Sequence, residues 1–276
     1  DKEIYFEPML AHKWEDHKNK ITYPIYSQPK LDGIRCIVKK DGMWSRNGKR
    51  IISAPHIYEA LKPLFEQDPT LIFDGELYAD KFANDFNAIC SLVKKTKPSA
   101  KDLQDSASKI EYHIYDLPSH GGNFKARIDR LMAYDLPNCC KTVQTYKIVD
   151  ERSVDIAYEN YIKAGYEGQI LRLDKPYENK RSKSLLKHKS FIDEEYTILD
   201  IEEGVGNKTN MVGLFIFENK EGKRFNASPK FNWETCTEMW SRRNELIGKE
   251  ATVKYFNLTP DGVPRFPYCI AIRDYE

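Results

Sequence analysis

No apolar run in this 276-residue chain approaches the ~20 residues that a membrane-spanning helix needs, so no membrane association is expected. The opening stretch, Asp1 to Leu10, holds no apolar core of a secretory leader. It also lacks an initiating Met, so the start is expected to have been either processed or cut by design. Cysteine is scarce, six residues in all, and no Cys-x-x-Cys pair occurs. Cys36, Cys90, Cys139, Cys140, Cys236 and Cys269 are therefore expected as free thiols in a reducing compartment, not as a zinc site or a disulfide framework. Repeats and low-complexity tracts are missing as well. So is net charge: the total of +1 argues neither for nor against a nucleic-acid partner.

What is present is ordinary globular material. Hydrophobic residues make up 41% and charged residues 31% of the chain, which excludes a disordered polymer. The length suits one large or two modest domains, with enough chain to bury a core without staples. Charge is patterned locally. Between Lys30 and Arg50 there are seven Lys/Arg against Asp32 and Asp41, and between Lys180 and Lys189 five Lys/Arg and no acid. Such basic stripes can hold phosphates on a near-neutral protein, although a solvated mixed-charge surface would look the same.

Runs rich in β-branched and aromatic residues predict strands at Tyr23–Gln28, Ile34–Lys39, Leu71–Leu77, Ile110–Tyr115, Gln144–Val149 and Gln169–Leu173. Asp41-Gly42 and Asn47-Gly48 have the composition of tight hairpin turns. Ser53-Ala54-Pro55 is expected to cap a helix reaching about Phe65. A second helix is expected over Glu151–Ala164, with Val154, Ala157, Tyr158, Tyr161 and Ile162 at helical spacing and Gly165 ending it. Interleaved helices and hairpins predict an α+β domain with antiparallel sheets. After about Lys189 the texture changes. Short strands are expected at Tyr196–Ile201, Leu214–Glu218, Arg224–Ala227, Thr252–Phe256 and Tyr268–Ile272, with one helix over Trp233–Leu246. Five strands and a helix suit an all-β OB-type barrel. The expected domains are therefore residues 1–190 and 191–276.

The sharpest segment is Lys30-Leu31-Asp32-Gly33-Ile34-Arg35. A strand leads in and another leads out, and the Asp-Gly pair would let the chain turn closely beneath a nucleotide. A lysine at the end of a buried strand can lose its proton through desolvation and nearby cations, and neutral lysine is a nucleophile. Arg35 could hold a phosphate bidentately. The same residues also fit a plain hairpin with a solvent-facing Lys and Arg. Other segments add to the picture in order: Ser45-Arg46-Asn47-Gly48, Phe73-Asp74-Gly75-Glu76 at a strand, Ile114-Tyr115-Asp116 at the end of another, Tyr166-Glu167-Gly168-Gln169-Ile170-Leu171, and Leu185-Leu186-Lys187-His188-Lys189, whose alternation puts both lysines on one face.

Those six segments, in that order, resemble the covalent nucleotidyltransferases: ATP-dependent DNA ligases, RNA ligases and mRNA capping enzymes. The resemblance runs from Pro8-Met9-Leu10-Ala11 to Arg273 and is nearest to the compact ATP-dependent DNA ligases of viruses and phages. It implies an adenylation (nucleotidyltransferase) domain followed by an OB-fold domain that closes over nucleotide and then DNA. It implies that Lys30 attacks the α-phosphate of ATP and expels pyrophosphate. Arg35 and Arg46 look like the arginines that grip the 5′-phosphate of a nick, Arg35 being a nucleotide contact as well. Glu76 is similar to the glutamate that meets the ribose, and Glu76 and Glu167 to the carboxylates around a divalent metal. Tyr115 takes the place of the aromatic that stacks on adenine, a role that does not need its hydroxyl. Gln28 sits where relatives meet the adenine edge. Lys187 and Lys189 resemble the pair that neutralises the α-phosphate. Phosphoryl-type transfer depends on alignment and charge neutralisation, which such a set would supply.

The segment Asp261 to Pro267 and then Ile272-Arg273-Asp274 looks like the end of a ligase OB domain, with Arg273 as its motif arginine. Relatives often carry a basic residue soon after that arginine, whereas here Asp274-Tyr275-Glu276 follows. No separate N-terminal DNA-binding domain is expected. The resemblance thus implies an ATP- and Mg²⁺-dependent enzyme, with Mn²⁺ as a substitute, acting on nicked double-stranded DNA. It would be a cytoplasmic monomer, in the host cell if phage or viral, that encircles DNA when closed. RNA ligase, capping enzyme and a noncatalytic OB-fold binding protein are the alternatives.

Overall fold

The computed structural model describes residues 5–79, 86–189, 191–255 and 258–274. The chain divides into two compact units, Asp1–Lys189 and Ser190–Tyr275.

Along the first unit, strand β1 (Leu10–Lys13) runs into the one-turn helix α1 (Trp14–His17). Next come β2 (Ile25–Lys30) and a hairpin of β3 (Ile34–Lys39) with β4 (Gly42–Trp44). Helix α2 (Pro55–Gln67), β5 (Ile72–Tyr78), α3 (Phe86–Val93), α4 (Ala100–Lys109), β6 (Glu111–Asp116) and α5 (Phe124–Met132) follow. The unit ends with β7 (Cys140–Thr142), β8 (Tyr146–Ile148), α6 (Glu151–Lys163), β9 (Gly168–Leu173) and β10 (Arg181–His188). Local chemistry explains most of these elements. Pro55 pre-sets the first turn of α2, which buries Ile57, Leu61 and Phe65 at four-residue intervals and packs Phe65 edge-on to Phe73 of β5. Ser53 does not cap this helix as the sequence suggests. Its hydroxyl donates instead to the Val93 carbonyl, and Ala54 occupies the cap position without a side-chain bond. Asp150 does cap α6, accepting from the Ser153 N–H at 2.8 Å, and Gly165 ends it in the left-handed region at φ 95°.

Two five-stranded sheets result, ordered β1-β10-β9-β2-β8 and β4-β3-β5-β6-β7. They are mixed rather than antiparallel throughout: β1 runs parallel to β10, and β6 parallel to β7. Both parallel pairs join strands separated by long connections, 23 residues with helix α5 in the case of β6 and β7, and only such connections permit parallel pairing. Strand β2 is buried from Ile25 to Pro29. Pro29 lies beyond the end of β8, which pairs only up to Ser27, so its missing N–H need not interrupt a ladder on that side. The apolar side chains Trp14, Ile25, Ile148, Val154, Leu171 and Leu186 form a core between the first sheet and the helices α1 and α6.

The second unit is a closed barrel in the order β11-β12-β13-β15-β14. Its strands are β11 (Ile192–Glu203), β12 (Val212–Glu218), β13 (Arg224–Pro229), β14 (Glu250–Tyr255) and β15 (Tyr268–Ile272). Strand β11 is long enough to pair with β14 through Ile192–Thr197 and with β12 beyond Ile198. Parallel pairing of β13 with β15 shuts the ring around Ile198, Phe215, Phe217, Phe225, Val253 and Tyr255. The single helix expected over Trp233–Leu246 is two, α7 (Trp233–Ser241) and α8 (Arg243–Leu246). Arg242 leaves helical geometry between them (φ −105°, ψ 14°), and its guanidinium reaches Glu238 and Glu245, each at 3.1 Å. Phe256, expected at a strand end, lies outside the described residues.

Candidate active site

Lys30 ends β2, opposite Gly168 at the start of β9. Its Nζ lies 3.5 Å from Glu167 Oε2, while Lys189 Nζ lies 3.4 Å from Glu167 Oε1. One carboxylate thus spans two ammonium groups. The three side chains are 21%, 13% and 6% exposed for Lys30, Glu167 and Lys189, enough for a substrate to reach Lys30 while most water is excluded. Two glycines make this approach possible. A Cβ on Gly168 would collide with the His188 carbonyl and sit 2.9 Å from Lys189 Cβ. A Cβ on Gly33 would collide with the Leu77 carbonyl of β5, so that glycine serves close strand approach and not a left-handed turn.

Beside the lysines lies an aromatic and acidic group. The Tyr115 hydroxyl donates to Glu76 Oε1 at 3.0 Å. Burial pushes the Glu76 carboxyl up to about 7, against the opposing pull of Lys30, Arg35 and the Tyr115 hydroxyl. Two guanidiniums lie near the Tyr115 ring, Arg172 at 4.9 Å and Arg35 at 5.5 Å from its centroid. Arg35 is also locked bidentately to Asp74, Nε to Oδ1 at 2.7 Å and Nη2 to Oδ2 at 2.6 Å, and Tyr177 adds its hydroxyl to Asp74 Oδ2 at 2.8 Å. Gln28 is held on three sides. It donates to the Tyr115 carbonyl at 3.1 Å and to Thr145 at 2.9 Å, and accepts from Arg172 Nε at 2.7 Å. Behind it, Asp116 binds Arg127 at 2.8 Å and Arg172 at 3.0 Å. These buried charges are paired throughout, as a dry interior requires.

The family description "ATP dependent DNA ligase domain" matches residues 8–189. The chain belongs to the ATP-dependent DNA ligases. A second description, "DNA ligase OB-like domain", matches residues 203–273 of this ligase. It is 28% identical to a DNA ligase of Haemophilus influenzae over 86% of its own length and 82% of that protein's. It is 26% identical to a DNA ligase of African swine fever virus (isolate Pig/Kenya/KEN-50/1950) over 92% of its length, but spans only 64% of that protein's. Among solved structures, a Chlorella virus DNA ligase-adenylate superposes with a TM-score of 0.53 at 25% identity, covering 98% of the ligase and 99% of that chain. A Lig E DNA ligase gives 0.59 at 24% identity, covering 98% and 100%. The ligase is therefore an enzyme of a family that uses ATP and whose general activity is nick sealing. No described helix is long and apolar enough to cross a membrane.

The residues singled out from the sequence fall in distinct places. Lys30, Glu167 and Lys189 meet directly, and Glu76, Tyr115, Arg35 and Gln28 form the adjoining group. Lys187 lies on β10 opposite Ile170. Arg46 sits in a turn that Ser45 ties together, its hydroxyl accepting from the Lys49 N–H at 3.0 Å. The charges of Arg46 and Arg35 both act on Tyr5, opposing the rise that burial gives its hydroxyl. Arg273 belongs to the barrel unit, its N–H donating to the Glu250 carbonyl at 2.8 Å. Sequence reading missed Arg172, Arg127 and Tyr177, and gave Asp116 no role although it stands in one of the six segments. For Arg172 a signal existed: it is a lone charge among the apolar residues of the expected strand Gln169–Leu173, and such a charge, where buried, demands a partner.

Proposed function

We propose that this ligase seals 3′-hydroxyl/5′-phosphate nicks in duplex DNA, with Lys30 as the nucleophile of a lysyl-AMP intermediate. The observation that carries the assignment is the Glu167 carboxylate spanning Lys30 and Lys189 at 3.5 and 3.4 Å. A nucleophilic amine and a second cation are thereby held around one point where an α-phosphate fits. The Lys30 ammonium first gives a proton to solvent; its neutral Nζ then attacks the α-phosphorus, a P–N bond forms, and the bond to pyrophosphate breaks. Lys189 and Lys187 offset charge on the α-phosphate oxygens. The adenine packs on Tyr115 near the Gln28 amide, and Glu76 accepts from the ribose. In the second step the 5′-phosphate of the nick takes the AMP from Lys30. In the third the 3′-hydroxyl attacks that phosphate and AMP leaves. Arg46 holds the nick phosphate during both, and Arg35, whose Nε and Nη2 are taken by Asp74, adds its charge rather than the bidentate grip expected from sequence.

The donor set fits a hard divalent cation such as Mg²⁺, with Mn²⁺ as a substitute. Among the described residues no three His, Cys, Asp or Glu side chains group to hold a metal by themselves. Glu167, with Glu76 as a second carboxylate, would share the ion with phosphate oxygens and water, as Mg²⁺ at nucleotide sites commonly is. Bound there, the cation would neutralise phosphate charge, and Glu167 turned to it would release Lys30 for attack. All six cysteines are free, which suits a cytoplasmic, reducing setting.

Incubation with α-labelled ATP and Mg²⁺ tests the first step. Wild type should carry an acid-labile covalent label and Lys30→Ala none; equal labelling of both would end the assignment. A sealing assay on DNA/DNA, DNA/RNA and RNA/RNA nicks should favour the first.

A further inference from the structure

The two motif segments on β9 and β10 contain residues that the mechanism does not use. Gln169 directly follows Gly168, and His188 lies between Lys187 and Lys189. The two are in register. His188 Nδ1 lies 3.0 Å from Gln169 Oε1, which accepts the Nδ1 proton. On its other side the Gln169 amide donates to Ser27 Oγ at 2.8 Å. Ser27 Oγ in turn lies 2.9 Å from the Tyr161 hydroxyl. Gln169 and Ser27 are wholly buried and Tyr161 is 8% exposed.

Both ends of this chain return to helix α6. Tyr161 belongs to α6, and the His188 ring stacks on Tyr158 of the same helix at 4.0 Å and 24°. Trp14 stands 6.0 Å from that ring. The result is a closed circuit, α6 to β10 to β9 to β2 and back. Backbone ladders fix which strands are neighbours but tolerate small shear between them. Side-chain bonds running across three strands resist that shear. The strands so tied carry Lys189, Glu167 and Lys30 near their ends, within three residues of the bonded side chains in each case.

We propose that His188, Gln169 and Ser27 form a buried strut that sets Lys189 and Glu167 relative to Lys30, making His188 a positioning residue for lysyl-adenylate formation. The inference rests on the ligase reading above. It adds residues that touch neither nucleotide nor DNA. Burial lowers the His188 pKa, so the ring is neutral at neutral pH and one nitrogen keeps the proton that Gln169 accepts.

The test is single-turnover self-adenylation with Mg²⁺ across a range of ATP concentrations, with the melting temperature of each variant. His188→Phe keeps a ring against Tyr158 but removes the donor. Its maximal rate should fall about ten- to hundredfold, with the half-saturating ATP concentration unchanged, because misalignment slows the step without weakening binding. His188→Asn restores an N–H near the Nδ1 position and should recover most of the rate. The double variant His188→Phe/Gln169→Leu removes both polar partners, so its melting temperature should return towards wild type while its rate stays low. A wild-type rate for His188→Phe would overturn the proposal, as would rates that follow melting temperature through all three variants. Absence of label on wild type would instead overturn the ligase reading, and this inference with it.

Discussion

Glu76 has a carboxyl pushed up to about 7 by burial, and that has consequences for both stability and binding. Relative to an ordinary carboxyl at 4.5, the folded chain keeps a proton that the unfolded chain releases between about pH 4.5 and 7. Stability from this group is therefore fully present below about 4.5 and lost as pH rises through about 7. Glu76→Gln, which stays neutral, should melt above wild type at pH 8 by up to ~3 kcal/mol, with the gap closing near pH 5. A gap independent of pH, measured by thermal denaturation, would count against a buried charge at Glu76. The neighbouring Tyr115 was expected from sequence to act through its ring alone. Its hydroxyl instead donates to Glu76 at 3.0 Å. Tyr115→Phe should therefore cost about 1 kcal/mol in ATP use, between wild type and the ~1–3 kcal/mol expected of Tyr115→Ala. A titration of labelling against ATP would rank the three, and a Phe variant matching wild type would remove the hydroxyl from the account.

Strand β9 shows how one element places several functional groups, and how much of that its sequence reveals. The strand itself was legible in Gln169–Leu173, because β-branched and aliphatic residues recur there, and β3 and β15 were legible to the residue for the same reason. What local pattern does not encode is pairing. Nothing in the spacing of Lys30, Glu167 and Lys189 says that Lys30 will face Gly168, or that Gly168 will lie against Lys189. Strand direction was equally hidden: the parallel pairings of β1 with β10 and of β6 with β7 arise from connections far longer than any hairpin. The motif residues were readable as an ordered set, whereas the pairing of Arg172 with Asp116 was not, since a buried ion pair leaves no periodic trace. Gly168→Ala tests the close approach directly. The added methyl must push β10 away from β9, since it meets the His188 carbonyl and Lys189 Cβ. Self-adenylation should slow by more than about tenfold, and stability should drop by about 1–3 kcal/mol. An Ala variant with wild-type labelling would mean that the strands have room which the geometry denies.

Over the whole molecule, a net charge of +1 conceals basic stripes, and on the proposed function these would hold a nucleic-acid backbone. Affinity for nicked duplex should therefore fall steeply with salt, log K against log salt being linear. Removing one phosphate contact, as in Arg46→Ala, should lower the slope by roughly one unit while leaving lysyl-AMP formation intact. Arg35→Ala should impair both steps, because its guanidinium also neutralises the buried Asp74 at 2.6–2.7 Å. Fluorescence-anisotropy titrations at several salt concentrations, alongside labelling with ATP, separate the two variants. An unchanged slope for Arg46→Ala would exclude a phosphate contact there. The two units also differ in how their sheets end. Each sheet of the first unit stops at outer strands, such as β4 and β8, whereas the ring of β11 to β15 has no outer strand at all. An outer strand offers unpaired backbone groups to any other chain in solution, and a ring offers none. Aggregates formed on partial unfolding should therefore nucleate in the first unit, with the barrel carried along as a passive bystander.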